Sequence, residues 1–161
     1  MSTQSQPPDP NRESVLQIMR ATRWKWADKD RAALGELEFR LIKAARQGVP
    51  VAYSELVEGL VFRIPNLNGG KPHKIDTKDW ADLDRALVGD FLGLVSSKSY
   101  ESHGFMLSAM AVEKDTGFPS GHFFKWMKDL GMLTDTSEEG KIRFWKKQFK
   151  QAVWANKSPH Q

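Results

Sequence analysis

Two carboxylates, Glu113 and Asp115, stand directly after an eight-residue run, Phe105 to Val112, that holds no charge. Such a run reads as a strand buried on both faces. Glu113-Lys114-Asp115-Thr116-Gly117 then reads as the polar turn leaving it. A carboxylate at the mouth of a buried strand can activate a water. Facing an extruded nucleotide, it could instead stabilise the cationic sugar of N-glycosidic cleavage, as carboxylates do in sugar hydrolysis. The alternative is a solvated turn with no chemistry. The chain has no cysteine, which excludes thiolate catalysis, disulfides, zinc ribbons and Fe–S clusters. Hydroxyls and carboxylates remain as nucleophiles and acids. His103 and His122 flank the run, but two histidines without a third ligand do not make a metal site. Gly69-Gly70-Lys71 lacks the spacing and the following hydroxyl of a phosphate-binding loop. No metal and no cofactor is expected.

A second chemistry is electrostatic. Lys141, Arg143, Lys146, Lys147, Lys150 and Lys157 occupy a stretch without a single acid. On a helix that buries Ile142, Trp145 and Phe149, most of these cations must face solvent. A one-sided basic helix is a footprint for nucleic acid, above all if Arg20, Arg23 and Lys25, interleaved with Trp24 and Trp26, lie beside it. A solvated face that binds nothing is the alternative. The net charge of +4 matters only where it clusters in this way.

The elements that must position these groups follow from periodicity and punctuation. A chain of 161 residues predicts one domain. Residues 1–11, rich in Pro, Ser and Gln, form a disordered tail in this reading, and 12–157 form the domain. A short helix covers Arg12 to Thr22, with Val15, Ile18 and Met19 on one face. Asp28 or Asp30 caps a stronger helix to Gln47, with Leu34, Leu37, Leu41 and Ala45 inward and Gly48 as its stop. Val49 to Tyr53 is extended, and Ser54 caps a brief helix. Pro65 to Pro72 is an open loop. Thr77 introduces a regular helix striped by Trp80, Leu83, Leu87, Phe91 and Leu94, and Ser96 to Gly104 is its polar exit. Ser120 caps a helix bearing Phe123, Phe124, Met127 and Leu130. A short strand at Met132-Leu133 precedes the basic C-terminal helix over 138–156, whose stripe is Ile142, Trp145, Phe149, Ala152 and Val153. No segment is apolar enough to span a membrane, and the start carries no signal-peptide pattern. A cytoplasmic location and no membrane partner are therefore expected.

Three pieces, in order, resemble the winged-helix DNA-binding domain of the alkylguanine–DNA alkyltransferases and the cysteine-less alkyltransferase-like proteins. Val49-Pro50-Val51-Ala52-Tyr53-Ser54-Glu55-Leu56 is similar to that family's V-x-(S/T)-Y-(G/Q)-x-(I/L)-A start of a helix-turn-helix. Asp84-Arg85-Ala86-Leu87-Val88-Gly89 is similar to the family's A-R-A-V-G in the recognition helix, and Leu107-Ser108-Ala109-Met110-Ala111-Val112 stands where the family has P-C-H-R-V-V. The resemblance covers about 49–124. It implies that Tyr53 crowds a phosphate and drives nucleotide rotation, that Arg85 fills the hole left by a flipped base, and that Ser108 takes the reactive cysteine's place. Base chemistry or inspection needs the base out of the stack, and a cation stabilises the vacated duplex. Without cysteine, alkyl transfer itself is excluded.

The fold class expected is α+β, mainly helical, with a winged-helix-like centre and added N- and C-terminal helices. The function expected is binding of duplex DNA, as a monomer, with capture of an extruded and modified nucleotide. Tyr53 and Arg85 then serve nucleotide flipping, and Lys141, Arg143, Lys146, Lys147 and Lys150 hold DNA. One alternative is a cysteine-free, glycosylase-type base-removing enzyme using Asp115, Glu113 and Ser108. Another is a protein-binding phage, plasmid or host-defence factor.

Overall fold

The computed structural model describes residues 11–157, and the fold is α+β and mainly helical. The expected disordered tail therefore lies, Asn11 apart, outside the described residues. Among the described residues six α-helices run Arg12–Ala21 (α1), Arg31–Gln47 (α2), Tyr53–Val57 (α3), Asp82–His103 (α4), Gly121–Asp129 (α5) and Glu138–Ala155 (α6). Four two-residue strands, Val51–Ala52 (β1), Val61–Phe62 (β2), His73–Lys74 (β3) and Ala111–Val112 (β4), make two small sheets. The first pairs β1 with β4 in parallel, Val51 opposite Ala111 and Ala52 opposite Val112. The second is an antiparallel hairpin, Val61 opposite Lys74 and Phe62 opposite His73, inserted between α3 and α4.

The start of α2 is fixed by Asp30. One carboxylate oxygen accepts from the Ala33 amide at 3.0 Å and the other from Arg63 at 2.7 Å, so the cap also ties the helix to the hairpin. Gly48 ends α2 at φ 71, a left-handed conformation that favours glycine. Leu37, Leu41 and Ala45 enter one apolar cluster with Leu87, Phe91 and Val95 of α4. A second cluster gathers Val15, Leu16 and Met19 of α1 with Tyr100 of α4, Phe123 and Met127 of α5 and Trp145 of α6. The periodicity of α1 is thus turned slightly from expectation: Leu16 is buried and Ile18 is 44% exposed.

Helix α4 crosses both clusters and departs from the sequence expectation at each end. It does not open at Thr77. The Asp76 carboxylate turns the chain by accepting from Lys78, and the Asp84 carboxylate caps Ala81 at 2.9 Å. Trp80 therefore precedes the helix, and Leu83 is exposed. Nor does it stop at Ser96. The expected polar exit is helical to His103; Ser96, Ser97, Ser99 and Tyr100 are buried, the Ser96 and Ser99 hydroxyls finding partners inside the core, and Glu101 to His103 are exposed.

Those partners explain a second departure. Phe105 to Val112 is buried throughout, as expected, but only Ala111–Val112 is strand; Leu107–Met110 is a tight 3-10 turn. A buried backbone needs hydrogen bonds, not specifically a sheet. Side chains supply them here. Met106 N–H donates to the Gln148 carbonyl at 2.8 Å and Leu107 N–H to the Ser99 hydroxyl at 3.0 Å. Ser108 N–H donates to the Ser96 hydroxyl at 2.9 Å, and the Trp145 indole donates to the Ala109 carbonyl at 2.8 Å.

Three smaller corrections follow. The α3 helix begins at Tyr53 with Ala52 at its cap position, so Ser54 is inside it. Ser120 stands at the cap of α5, but its side chain makes no cap bond. Met132 and Leu133 are not a strand: after Gly131 turns the chain at φ 84, both amides donate to the Met127 carbonyl and close α5. No helix among the described residues is long and apolar enough to cross a membrane.

Candidate nucleic-acid interface

Helix α6 is positioned by its cap and by one edge. The Ser137 hydroxyl accepts from Gly140 at 3.1 Å, and an added Cβ on Gly140 would collide with Asp135. Gly140, Trp145, Gln148 and Ala152 are the buried line along the helix. Arg143, Lys146, Lys147 and Lys150 consequently stand on the solvent side.

The cations on that side are not equivalent. Lys141 pairs with Glu138 at 3.6 Å and lies over the Phe124 ring. Arg143 lies 3.7 Å from Asp135, whose carboxyl is held below its ordinary range chiefly by hydrogen bonds from the Ser137 hydroxyl and amide. Lys146, Lys147 and Lys150 are exposed and have no ion-pair partner among the described residues. The free positive charge of α6 is therefore concentrated in its middle turns.

The N-terminal cations do not extend this surface as a free row. Arg20 donates to Glu101 at 2.8 Å, with Glu13 at 3.7 Å, and Arg12 donates to the carbonyls of Tyr100 and Glu101. Those contacts hold α1 along the C-terminal half of α4. Lys25 lies over the Trp26 ring, and Arg23 is exposed.

Ser108, Tyr53 and Arg85, carried by the resemblance, and the carboxylates Glu113 and Asp115 fall in different surroundings. Ser108 is buried, its hydroxyl accepting from Ser96 at 2.6 Å. Glu113 and Asp115 are exposed on a turn closed by the backbone, where Gly117 donates to the Glu113 carbonyl at 2.8 Å and Glu113 donates to Phe118 at 2.9 Å. Core hydroxyl and turn carboxylates thus belong to separate environments. The Tyr53 hydroxyl accepts from the Ser120 amide at 3.0 Å, joining the start of α3 to the cap of α5. Burial pushes this phenol above its ordinary pKa, with the Glu113 charge adding to the shift. Arg85 is solvated, 3.5 Å from Asp82, and donates weakly to the Trp80 carbonyl.

Two acids of this helix point inward instead of toward a ligand. Asp84 meets His73 Nε2 at 2.7 Å, and Asp90 binds backbone amides of the Trp24 to Ala27 loop. His103 stacks on Phe105, and no group of three His, Asp or Glu among the described residues is placed to hold a metal.

Periodicity alone misses Ser96, Ser99 and Gln148, which position the buried turn at Leu107–Met110. The only sequence signal for them is polarity inside otherwise apolar helical stripes. Ser108→Ala is expected to cost about 1–2 kcal/mol of stability, because Ser96 loses a buried partner. DNA affinity should be unchanged after correction for folding. Urea denaturation beside a binding titration checks this, and lost DNA affinity at full stability would give Ser108 a role in binding instead.

Comparison of the chain with protein-family models, curated proteins and solved structures finds no match.

Proposed function

We propose that this protein binds duplex DNA, holding the phosphate backbone on the middle turns of α6. The observation that carries the reading is the set Lys146, Lys147 and Lys150, exposed on one side of a helix and unpaired among the described residues. Phosphate is the partner such a row suits: it is repeated, anionic and readable without sequence-specific contacts. Capture of an extruded nucleotide is the second part of the reading. Its support is Arg85, solvated at the first turn of α4 and held by an exposed carboxylate and a long 3.4 Å contact to the Trp80 carbonyl. Exposed ion pairs of this kind contribute roughly 0–1 kcal/mol, so the guanidinium is free to leave Asp82 for a groove.

The test is a salt titration of wild-type affinity for duplex DNA. Binding that weakens with a log–log slope of about −0.9 per phosphate engaged supports the proposal. A salt-insensitive interaction, or none, sinks it. A fluorescent base analogue in the duplex reads extrusion: its signal should rise with wild type and fall with Arg85→Ala.

A further inference from the structure

A groove of about 290 Å³ lies where the end of α6 passes the end of α2, lined by Gly48, Phe149, Lys150, Val153, Trp154 and Lys157. Phe149 and Val153 form an apolar floor that is continuous with the core. Trp154 is different. It is 74% exposed, so core packing does not account for it. The Lys157 ammonium sits 5.1 Å from the Trp154 ring centroid, and Lys150 flanks the other residues of the groove. None of the lining residues is acidic, and the end of α2 adds the exposed Arg46 in its last turn and the exposed Lys43 in the turn before.

A flat exposed indole with ammonium groups beside it matches the alternation of ring and anion along an unpaired nucleic-acid strand. At about 290 Å³ the open groove lies at the lower limit of the roughly 300–1,000 Å³ of small-molecule pockets, and it has room for a planar ring beside the indole.

We infer that this groove takes an unpaired base of single-stranded DNA, stacked on Trp154, with the adjoining phosphates on Lys150 and Lys157. On binding, the Lys157 ammonium exchanges the indole face for a phosphate. The inference deepens the duplex-binding reading and rests on it for orientation: Lys150 belongs both to the α6 row and to the groove, so an unpaired nucleotide here would adjoin a duplex held on α6.

The experiment compares a blunt duplex, the same duplex with a thymidine overhang, and a short oligothymidine, each against wild type, Trp154→Ala and Trp154→Phe. Wild type is expected to bind the overhang duplex more tightly than the blunt one. Trp154→Ala should lose about tenfold or more on the overhang and the oligothymidine, and little on the blunt duplex. Trp154→Phe should recover part of the loss, since a ring remains. The residue is exposed, so folding should be intact, and circular dichroism verifies it.

An overhang that adds nothing, with Trp154→Ala unchanged on every ligand, overturns the groove while leaving duplex binding standing. Trp154-dependent binding of unpaired DNA without any blunt-duplex binding supports the groove and overturns the duplex reading. No binding to any ligand overturns both. A change in oligomeric mass with Trp154→Ala, with DNA affinity unaltered, assigns the indole to self-association and overturns the inference.

Discussion

Changing Lys146, Lys147 and Lys150 together to Gln should weaken duplex binding by about a hundredfold at ~0.15 M salt. The magnitude follows from counterion release. Each phosphate contact contributes about 0.9 to the log–log salt slope, so three contacts contribute about 2.7. If they count for nothing near ~1 M salt, the extrapolation to ~0.15 M gives roughly two decades. The loss should be the same for unrelated DNA sequences, because phosphate contacts position a duplex without reading it. Folding should be unaffected: the three side chains are exposed and make no ion pair among the described residues. Lys141→Gln with Arg143→Gln should cost much less, since Glu138 and Asp135 already compensate those charges. Fluorescence anisotropy at several salt concentrations measures all of this. A slope that stays as steep in the triple variant assigns the cations to solvent or to a protein partner.

The largest expected effect on stability comes from Asp90→Ala. The Asp90 carboxylate accepts from the Trp26 and Ala27 amides, both at 2.8 Å, and more weakly from Lys25 at 3.3 Å. It thereby fastens the loop between α1 and α2 onto α4. Two neighbouring contacts depend on that placement. Trp24 lies against Gly93, where an added Cβ would come within 2.6 Å of its ring, and Trp26 and Ala27 join the first apolar cluster. Removing the carboxylate strands partly buried amides and loosens the seat of both tryptophans. A cost of about 2–4 kcal/mol is expected, within the range for charge-assisted bonds and buried donors left unpaired. Asp90→Asn, which keeps an acceptor, should recover part of it. Urea denaturation followed by tryptophan fluorescence reports both stability and the loop. A cost below about 0.5 kcal/mol, the range of ordinary surface substitutions, would show that the apolar contacts hold the loop by themselves.

The helical framework is largely a property of local sequence. Apolar spacing places α2 and the middle of α4, and Asp30 and Gly48 mark the ends of α2 with residue types that suit a cap and a left-handed stop. The same spacing puts Lys146, Lys147 and Lys150 on the solvent side of α6, because Trp145 and Ala152 need the other. Local sequence also establishes that Phe105 to Val112 is buried. It does not determine the backbone form of that run, since a buried amide can be satisfied by a strand or by any side chain that reaches it. The acceptors turn out to be Ser96, Ser99 and Gln148, between 8 and 42 residues away in the chain. Charge divides along the same line. Composition establishes how many cations there are, whereas tertiary contacts decide which are free. Arg20 is neutralised by Glu101, 81 residues away, and Arg143 lies beside Asp135 because Gly140 lets that turn close against α6. Lys146, Lys147 and Lys150 keep their charge for a partner because the packing of α6 brings no carboxylate among the described residues within ion-pair reach of them.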